Sequence, residues 1–403
     1  MGKTYYVLLC RWGIEMKKEL ELYIHIPFCV KKCAYCDFLS GPAKEETIER
    51  YVDALLKEIR QYEMMAQFQT VVTIFFGGGT PSILSGEQME RILKELKRVF
   101  KISKKAEITM EANPGTVTKE KLEAYKEAGI NRISFGLQSV NNEELKQLGR
   151  IHTFEQFLES YHLAREAGFD NLNVDLISAI PKQTLKSWEH TLKTIIELSP
   201  EHISAYSLII EEGTPFYDLY KEGGAKEKEL PEEEEERKIY EMTEVWLEEA
   251  GYHRYEISNY SKEGYECKHN LGYWDRKPYL GIGLGAASFF THYRYNNTRD
   301  LKTYLAHSEE LHKIQVNRED LTEEEQMEEF IFLGLRKMKG ISKEKFFEDF
   351  GKSFDACYGK NKERLKQQGL LEEEDDRIFL TKKGIDISNY VFAELLYIEE
   401  EEE

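Results

Sequence analysis

Three cysteines are grouped near the start of the chain, and thiols at this spacing can hold a metal. Cys29, Cys33 and Cys36 are separated by three and then two residues, directly after a predicted strand. The other three of the six cysteines stand apart in the sequence. Because six cysteines in 403 residues are too few for a disulfide framework, the grouping favours metal binding over cross-linking.

The residues around this group allow three interpretations. Three buried cysteines on one helical face would show the same spacing, but Pro27 and the position after a strand disfavour a helix. A Cys₃His zinc site that uses His25 or a distant histidine is the second, although the usual paired Cys-x₂-Cys knuckles are absent. In the third, three thiolates hold three irons of a [4Fe–4S] cube and leave the fourth iron open to a non-protein ligand.

Alternating strand-like and helix-like segments place this group at the end of the first strand. Strands are predicted at 22–28, 71–76, 107–112, 132–137, 171–177 and 202–208. Helical patterns separate them, among others at 47–65, 87–100, 119–128 and 154–167. Because strand-helix-strand crossovers put helices outside a parallel sheet, this order predicts an α/β fold with functional loops at the carboxyl ends of the strands. Six units predict an incomplete (β/α)₆ TIM-like barrel.

The pattern changes along the chain and predicts several regions. We expect an N-terminal extension at 1–15, a partial barrel at 16–250, a connecting segment at 251–296, a C-terminal domain at 297–396 and an acidic tail at 397–403. In the C-terminal region, helical patterns followed by a short strand predict a mainly α, winged-helix-like domain that packs rather than binds phosphate. The glutamates after Pro231 are interpreted as the start of a helix.

Charge and hydropathy exclude some classes of function. The net charge of −19 does not supply the clustered basic surface needed to bind bulk nucleic acid, so no nucleic-acid partner is expected. No apolar run approaches the ~18 residues needed to cross a bilayer. The expected location is therefore the cytoplasm.

Several motifs in order resemble the radical S-adenosylmethionine (SAM) superfamily. They are the cysteine group, Phe-Gly-Gly-Gly-Thr-Pro at 76–81, Glu-Ala-Asn-Pro at 111–114, and shorter matches at 136–139, 148–150 and 173–177. From about residue 20 to 396 the chain is similar to the coproporphyrinogen III oxidase-like branch. This resemblance implies a [4Fe–4S] cluster whose open iron chelates the amino and carboxylate groups of SAM.

The resemblance also implies which residues hold the cofactors. The cluster ligands would be Cys29, Cys33 and Cys36. The residues implied around SAM are Tyr23, Tyr35, Gly78, Gly79, Thr80, Glu111, Gln138, Arg150 and Asp175. Taken singly, each of these polar residues is more often a salt-bridge or core group, so their ordered agreement with the family motifs is what favours the functional interpretation.

Two features separate branches within this family. The porphyrinogen oxidases have a further cysteine two places after the third, where this chain has Phe38. The segment His-Asn-Leu-Gly-Tyr-Trp at 269–274 resembles the His-Asn-x-x-Tyr-Trp motif of haem chaperones of the HemW type. The resemblance implies haem contact at His269, with Cys267 as a second candidate ligand. For an isolated motif, a histidine capping a loop beside core-filling Tyr273 and Trp274 would be the commoner case.

The sequence thus favours a haem chaperone that binds a [4Fe–4S] cluster, SAM and haem. Its implied partners are haem, haem-accepting proteins such as membrane respiratory components, and an electron donor, with a location in the cytoplasm or peripheral at the membrane. The alternative is a radical SAM oxidase that decarboxylates coproporphyrinogen III in porphyrin biosynthesis. Whether the chain turns over SAM stays open from the sequence.

Overall fold

The computed structural model of the chain describes residues 19–290 and 292–396. The predicted N-terminal extension at 1–15 and acidic tail at 397–403 lie outside the described residues. All six predicted strands are present and lie side by side in parallel at the centre of one sheet. They are β1 (Glu19–Ile26), β2 (Thr70–Gly78), β3 (Lys101–Ala112), β4 (Arg132–Gln138), β5 (Leu172–Ser178) and β6 (His202–Ser207).

Side chains of the first strand, β1, alternate between the buried outer face and the inner face of the sheet. Leu22, Ile24 and their apolar neighbours at alternate positions are fully buried in the main hydrophobic core, where they pack with helix residues. The intervening positions are polar or aromatic and point to the opposite, inner face of the sheet, because side chains alternate along a strand. Tyr23 pairs in register with Phe75 of β2. The inner face therefore presents functional groups at the carboxyl ends of the strands.

Helices cover the outer face of these strands and match most of the predicted helical segments. They are α1 (Glu45–Gln61), α2 (Glu63–Ala66), α3 (Gly86–Val99), α4 (Lys119–Ala128), α5 (Asn142–Gln147), α6 (Phe154–Glu166), α7 (Leu185–Leu198), α8 (Pro215–Tyr220) and α9 (Glu233–Glu249), with short 3₁₀ turns at Pro81–Ile83 and Glu227–Glu229. The segment expected as one helix at 47–65 is interrupted at Tyr62. The acidic run after Pro231 does begin a helix, with four glutamates in its first turn facing the positive end of the helix dipole.

Six further strands extend the sheet, of which β7 to β11 fall within or at the edge of the expected connecting segment at 251–296 and β12 falls in the region expected as the C-terminal domain. On the β6 side lie β7 (His253–Glu256) and β8 (Asn259–Ser261), and on the β1 side lie β9 (Tyr279–Ile282), β10 (Ala287–Phe290), β11 (Tyr293–Asn297) and β12 (Gln315–Asp320). Three short helices accompany them: α10 (Lys268–Trp274), α11 (Leu301–His307) and α12 (Leu311–Ile314). The sheet order runs from β12 to β7, and these two edge strands do not pair, so the barrel is open as predicted.

The C-terminal domain has its own hydrophobic core, whose first residue is Met327. Residues 297–320 contribute instead to the main sheet and the main core. It consists of α13 (Glu323–Gly334), β13 (Ile341–Ser342), α14 (Lys343–Phe350), α15 (Phe354–Gln367), β14 (Leu371–Glu374), β15 (Arg377–Leu380), α16 (Lys382–Asp386) and α17 (Ser388–Leu396). The strands form an antiparallel sheet in the order β13-β15-β14. One helix, a strand, two helices and a hairpin make the winged-helix-like order that the sequence predicted.

The basic residues of α15 are used within this domain. Lys362 and Lys366 both form ion pairs with Glu373. Hydrogen bonds from Lys343 and Lys366 lower the pKa of Glu373 to about 2. These ion pairs therefore hold the β14–β15 hairpin to α15. Within residues 19–290 and 292–396, no helix has the length and apolar character needed to span a bilayer.

Candidate cluster and cofactor site

The predicted site residues meet at the carboxyl ends of the parallel strands, where they line one cavity. Those that line it are Cys29, Cys33, Tyr35, Cys36, Gly78, Gly79, Thr80, Glu111, Gln138, Arg150 and Asp175. They come from loops after β1, β2 and α5 and from the ends of β3, β4 and β5. The three remaining candidates, Tyr23, Cys267 and His269, do not line this cavity.

Backbone hydrogen bonds hold the cysteine loop in place from two directions, the turn after β2 and the residues around Gly41. On one side, Gly79 N donates to Ile26 O at 2.8 Å, and Thr80 N donates to Phe28 O at 2.8 Å. On the other side, Cys29 N donates to Gly41 O at 3.0 Å. A Cβ at Gly79 would lie 2.6 Å from Phe28 O, so only glycine permits this approach. The Gly-rich turn after β2 therefore positions the loop that holds the thiols.

Polar groups reach two of the three sulfurs. Thr80 Oγ1 donates to Cys29 Sγ at 3.4 Å, and Arg150 Nη1 donates to Cys33 Sγ at 3.4 Å. Burial raises the pKa of the Cys36 thiol, and the nearby thiols of the other two cysteines add to this effect. Hydrogen bonds to sulfur favour the thiolate, which is the form that ligates metal.

The structure tests which metal these thiols fit. His25 is not free to complete a Cys₃His zinc site, because its Nδ1 bonds to Tyr23 Oη at 3.1 Å and its Nε2 to Leu39 O at 3.0 Å. Over the described part of the chain, no three His, Cys, Asp or Glu side chains converge as a single-ion site requires. Three thiols around a cavity whose described lining includes no further cysteine or histidine fit a polynuclear cluster with one open corner.

Two half-buried carboxyls line the same cavity as the cysteine loop. Glu111 accepts a hydrogen bond from Gly78 N at 3.2 Å, while Asp175 accepts from Ser134 Oγ at 3.1 Å and Asn173 Nδ2 at 2.8 Å. Burial, reinforced by the charge of Asp175, raises the pKa of Glu111 to about 8. Burial also raises the pKa of Asp175. A cationic group or a set of hydroxyl donors bound beside these carboxyls would stabilise their charged forms and lower both pKa values.

Arg150 connects the cluster loop to the strand ends. Its Nη2 donates to Asn113 Oδ1 at 2.7 Å and to Gly136 O, while its Nη1 reaches Cys33. The Tyr35 ring packs edge-on against Phe216, with centroids 6.3 Å apart. Asn113 was not among the predicted site residues, although it stands inside the Glu-Ala-Asn-Pro motif that pointed to this position.

Tyr23 supports the site without lining it, and His269 lies deeper in the barrel. Tyr23 holds His25, as described above. His269 is 1% exposed, with Nδ1 bonded to Thr73 Oγ1 at 2.7 Å and Nε2 to Tyr273 Oη at 3.0 Å. Burial and the charge of Arg132 lower the pKa of His269 to about 3, so the ring is neutral. Coordination of an iron by His269 would require one of these hydrogen bonds to break.

Cys267, the second candidate haem ligand, is also inside the barrel. Its Sγ donates to Glu107 Oε1 at 3.6 Å, and Glu107 also accepts from the backbone N–H groups of Lys268 and His269. Glu107 therefore fixes the start of α10. No sequence pattern indicates this role of Glu107, because its partners are some 160 positions away in the chain.

The raised pKa of Glu111 predicts a pH-dependent stability. The contribution is fully present below the ordinary value of 4.5 and is lost as the pH rises towards 8. We expect the urea-unfolding free energy of the cluster-free protein to fall between about pH 5 and about pH 8. Glu111→Gln should flatten this slope, and the exposed Glu90→Gln should not. An unchanged slope in Glu111→Gln would show that this carboxyl does not titrate as stated.

Family models match both parts of the chain. The Radical SAM superfamily model matches residues 23–195, and the HemN C-terminal domain model matches residues 321–387. Among solved structures, Escherichia coli coproporphyrinogen III oxidase (HemN) aligns with a TM-score of 0.81 over 97% of this chain and 93% of that one. At 24% identity, this match supports the fold alone.

Curated relatives identify the family more closely. A Bacillus subtilis protein named heme chaperone HemW is 40% identical, over 93% of this chain and 98% of that protein. The Lactococcus lactis protein of the same name is 38% identical, over 94% and 98%. The Escherichia coli protein of that name is 44% identical, over 66% and 69%. The resemblance predicted from the motifs is confirmed, and the chain belongs to the HemW family.

Proposed function

We propose that this protein is a haem chaperone that binds a [4Fe–4S] cluster, SAM and haem and delivers haem to recipient proteins. The observation that supports it best is the loop of three thiols at a cavity that half-buried carboxyls also line, with no further cysteine or histidine among the described lining residues. The names of the full-length relatives support haem as the cargo. A catalytic oxidase is the weaker candidate, because Phe38 stands where those enzymes have a further cysteine.

The chain's own residues have distinct roles in this proposal. Cys29, Cys33 and Cys36 ligate the cluster, which supplies one-electron chemistry to a bound SAM. The backbone at 78–80 approaches the methionine part of SAM closely, which a Cβ would hinder. Glu111 and Asp175 accept from the ribose hydroxyls or ammonium group of SAM.

The remaining polar groups orient the two cofactors relative to each other. Arg150 pairs with a carboxylate while donating to Cys33, and Tyr35 covers the cofactor beside the cluster. Gln138 lies at the end of β4 with a φ of 80°, a strained backbone for a non-glycine residue. Such strain is retained where a fixed orientation is needed, here towards SAM. Tyr23 acts through His25.

The partners beyond the cofactors follow from the same proposal. A haem carrier needs a recipient, and membrane respiratory proteins are the class we propose. A reductant is needed wherever the cluster changes oxidation state, so an electron donor is a further partner. Delivery to such recipients is compatible with a cytoplasmic protein that meets the membrane only peripherally.

The proposed function predicts the outcome of an oxygen-free preparation. Protein purified without oxygen and reconstituted should contain iron and sulfide rather than zinc, measured together by elemental analysis. Haem added to it should bind and produce a Soret band, with no vinyl-bearing tetrapyrrole formed from coproporphyrinogen III. Formation of that product would instead favour the oxidase. Zinc without sulfide, together with no haem binding, would contradict both functions.

A further inference from the structure

A single side-chain amide, that of Asn113, connects the two groups that donate to the cysteine sulfurs. Its Nδ2 donates to Thr80 Oγ1 at 2.7 Å, and its Oδ1 accepts from Arg150 Nη2 at 2.7 Å. Thr80 in turn donates to Cys29 Sγ, and Arg150 to Cys33 Sγ, both at 3.4 Å. Asn113 is therefore linked to two of the three thiols, through one intermediate side chain in each case.

The direction of these hydrogen bonds follows from the groups that can only donate. A guanidinium has no acceptor, so the amide must present its oxygen to Arg150 and its NH₂ group to Thr80. The Thr80 hydroxyl then accepts from Asn113, and its own single proton is left for Cys29 Sγ. Because Thr80 is only 2% exposed, water has little access to compete for that proton. Asn113 thus orients the Thr80 hydroxyl towards the sulfur.

The backbone and the packing around Asn113 hold its amide in this position. Asn113 N donates to Ser82 Oγ at 3.2 Å, and its carbonyl accepts from Thr116 N at 3.1 Å and Thr116 Oγ1 at 2.7 Å. The neighbouring residue of β4 is Gly136, where a Cβ would lie 3.0 Å from Asn113 Oδ1 and 3.3 Å from Arg150 Nη2. The amide and the guanidinium therefore have little room to turn away from each other.

We infer that Asn113 is a positioning residue that sets the reduction potential of the cluster, by directing Thr80 to Cys29 and Arg150 to Cys33. This inference rests on the proposed function, because it needs the bound cluster. Hydrogen bonds to the sulfurs of an iron–sulfur cluster help to set its reduction potential. One-electron reduction adds a negative charge to the cluster, and donors directed at its ligands stabilise that charge and so raise the potential. Without the amide, both donors lose their fixed direction and reduction becomes less favourable.

The test is a redox titration of the full-length protein after anaerobic reconstitution, without SAM. Dithionite is the reductant, and the electron paramagnetic resonance signal of the reduced cluster is the readout. Asn113→Ala should lower the equilibrium constant for one-electron reduction about tenfold, which corresponds to a fall of about 59 mV in the potential. Wild-type potential in Asn113→Ala would overturn the inference.

Asn131→Ala is the matched control for this substitution. Asn131 also forms two side-chain hydrogen bonds, one from Ile108 N at 2.8 Å and one to Ala106 O at 2.9 Å. Both partners are backbone groups of β3, and neither belongs to a residue that lines the cluster cavity. Asn131→Ala should therefore leave the potential unchanged, and a fall equal to that of Asn113→Ala would overturn the inference.

Combined variants separate positioning from a direct effect of Asn113 on the cluster. Thr80→Val removes the hydroxyl and should lower the equilibrium constant about threefold. Adding Asn113→Ala to Thr80→Val should give a loss of about tenfold in total, not thirtyfold, because both substitutions remove the same hydrogen bond to Cys29. Wild-type potential in Thr80→Val, or a thirtyfold loss in the double variant, would overturn the inference.

A second substitution at 113 decides the question if Asn113→Ala takes up no cluster. Asn113→Asp keeps an acceptor for Arg150 but draws the Thr80 proton away from Cys29, because a carboxylate only accepts. Adding Thr80→Val to Asn113→Asp should therefore leave the potential of Asn113→Asp unchanged, and a further fall would overturn the inference. A wild-type chain that takes up no iron–sulfur cluster would overturn the proposed function itself.

Discussion

Cys33→Ala is expected to remove nearly all cluster iron from the reconstituted protein, leaving less than about one iron per chain. In the proposed function each of the three thiolates holds one iron of the cube, and among the described residues no further cysteine or histidine lines the cavity to replace Cys33. The backbone of the loop should stay in place, because Ala34 N donates to Leu148 O at 3.1 Å independently of the side chain at 33. The loss would therefore come from the missing sulfur and not from a collapsed loop.

The measurement is iron and sulfide per chain after anaerobic reconstitution, together with the visible absorption of the cluster. Cys357→Ala is the matched control: this half-buried cysteine belongs to the C-terminal domain and should leave the iron content at the wild-type value. The unfolding free energy of the cluster-free Cys33→Ala protein should change by no more than about 0.5 kcal/mol. Full iron in Cys33→Ala would show that the ligand set is wrong.

The central part of the fold was predictable because its signals are local. In β1, apolar residues alternate with polar ones, and the thiols follow directly after the strand. In the barrel helices, Gly129 and Gly168 adopt the positive φ that ends a helix. Each βα unit could therefore be found without knowing where it would pack. Parallel strands then bring their carboxyl ends to one edge, so the site followed from the order of the motifs.

The flanking strands β7 to β12 were not predicted, because five of them have only three to five residues, too few to show an alternating pattern. β9 pairs with β1 from more than 250 positions away, and only tertiary contact makes it a strand. For the same reason the sequence does not distinguish residues 297–320, which take part in the main sheet and core, from the rest of the C-terminal region predicted at 297–396.

The contacts around the haem motif were equally hidden from the sequence. In the sequence, Thr73 and Glu107 look like ordinary strand residues. Only the fold brings α10 beside them, where both form hydrogen bonds with His269. The motif at 269–274 indicated a function but not its geometry. In the structure its histidine is buried in the barrel, and its tryptophan lines a cavity shared with residues of the C-terminal domain.

Gly79→Ala is expected to lower the free energy of unfolding by about 2–4 kcal/mol and to reduce cluster incorporation several-fold. The added Cβ would lie 2.6 Å from Phe28 O and 2.8 Å from Ile26 O. Both are backbone atoms that cannot rotate away, so the turn must move and weaken the bonds that clasp the cysteine loop. Overpacking costs about 1–3 kcal/mol, and a weakened backbone hydrogen bond adds about 1 kcal/mol.

Gly41→Ala is the matched control for this substitution, because Gly41 also holds the cysteine loop, through the hydrogen bond that its carbonyl accepts from Cys29 N. A Cβ at Gly41 meets no atom within 4 Å, so the expected change is below about 0.5 kcal/mol with full iron content. Urea unfolding of the cluster-free proteins measures the first effect, and iron per chain after reconstitution measures the second. If Gly79→Ala matched Gly41→Ala in both, close backbone contact at 79 would not be what positions the thiols. A loss of iron in Gly79→Ala at unchanged stability would instead assign residue 79 to cofactor contact alone.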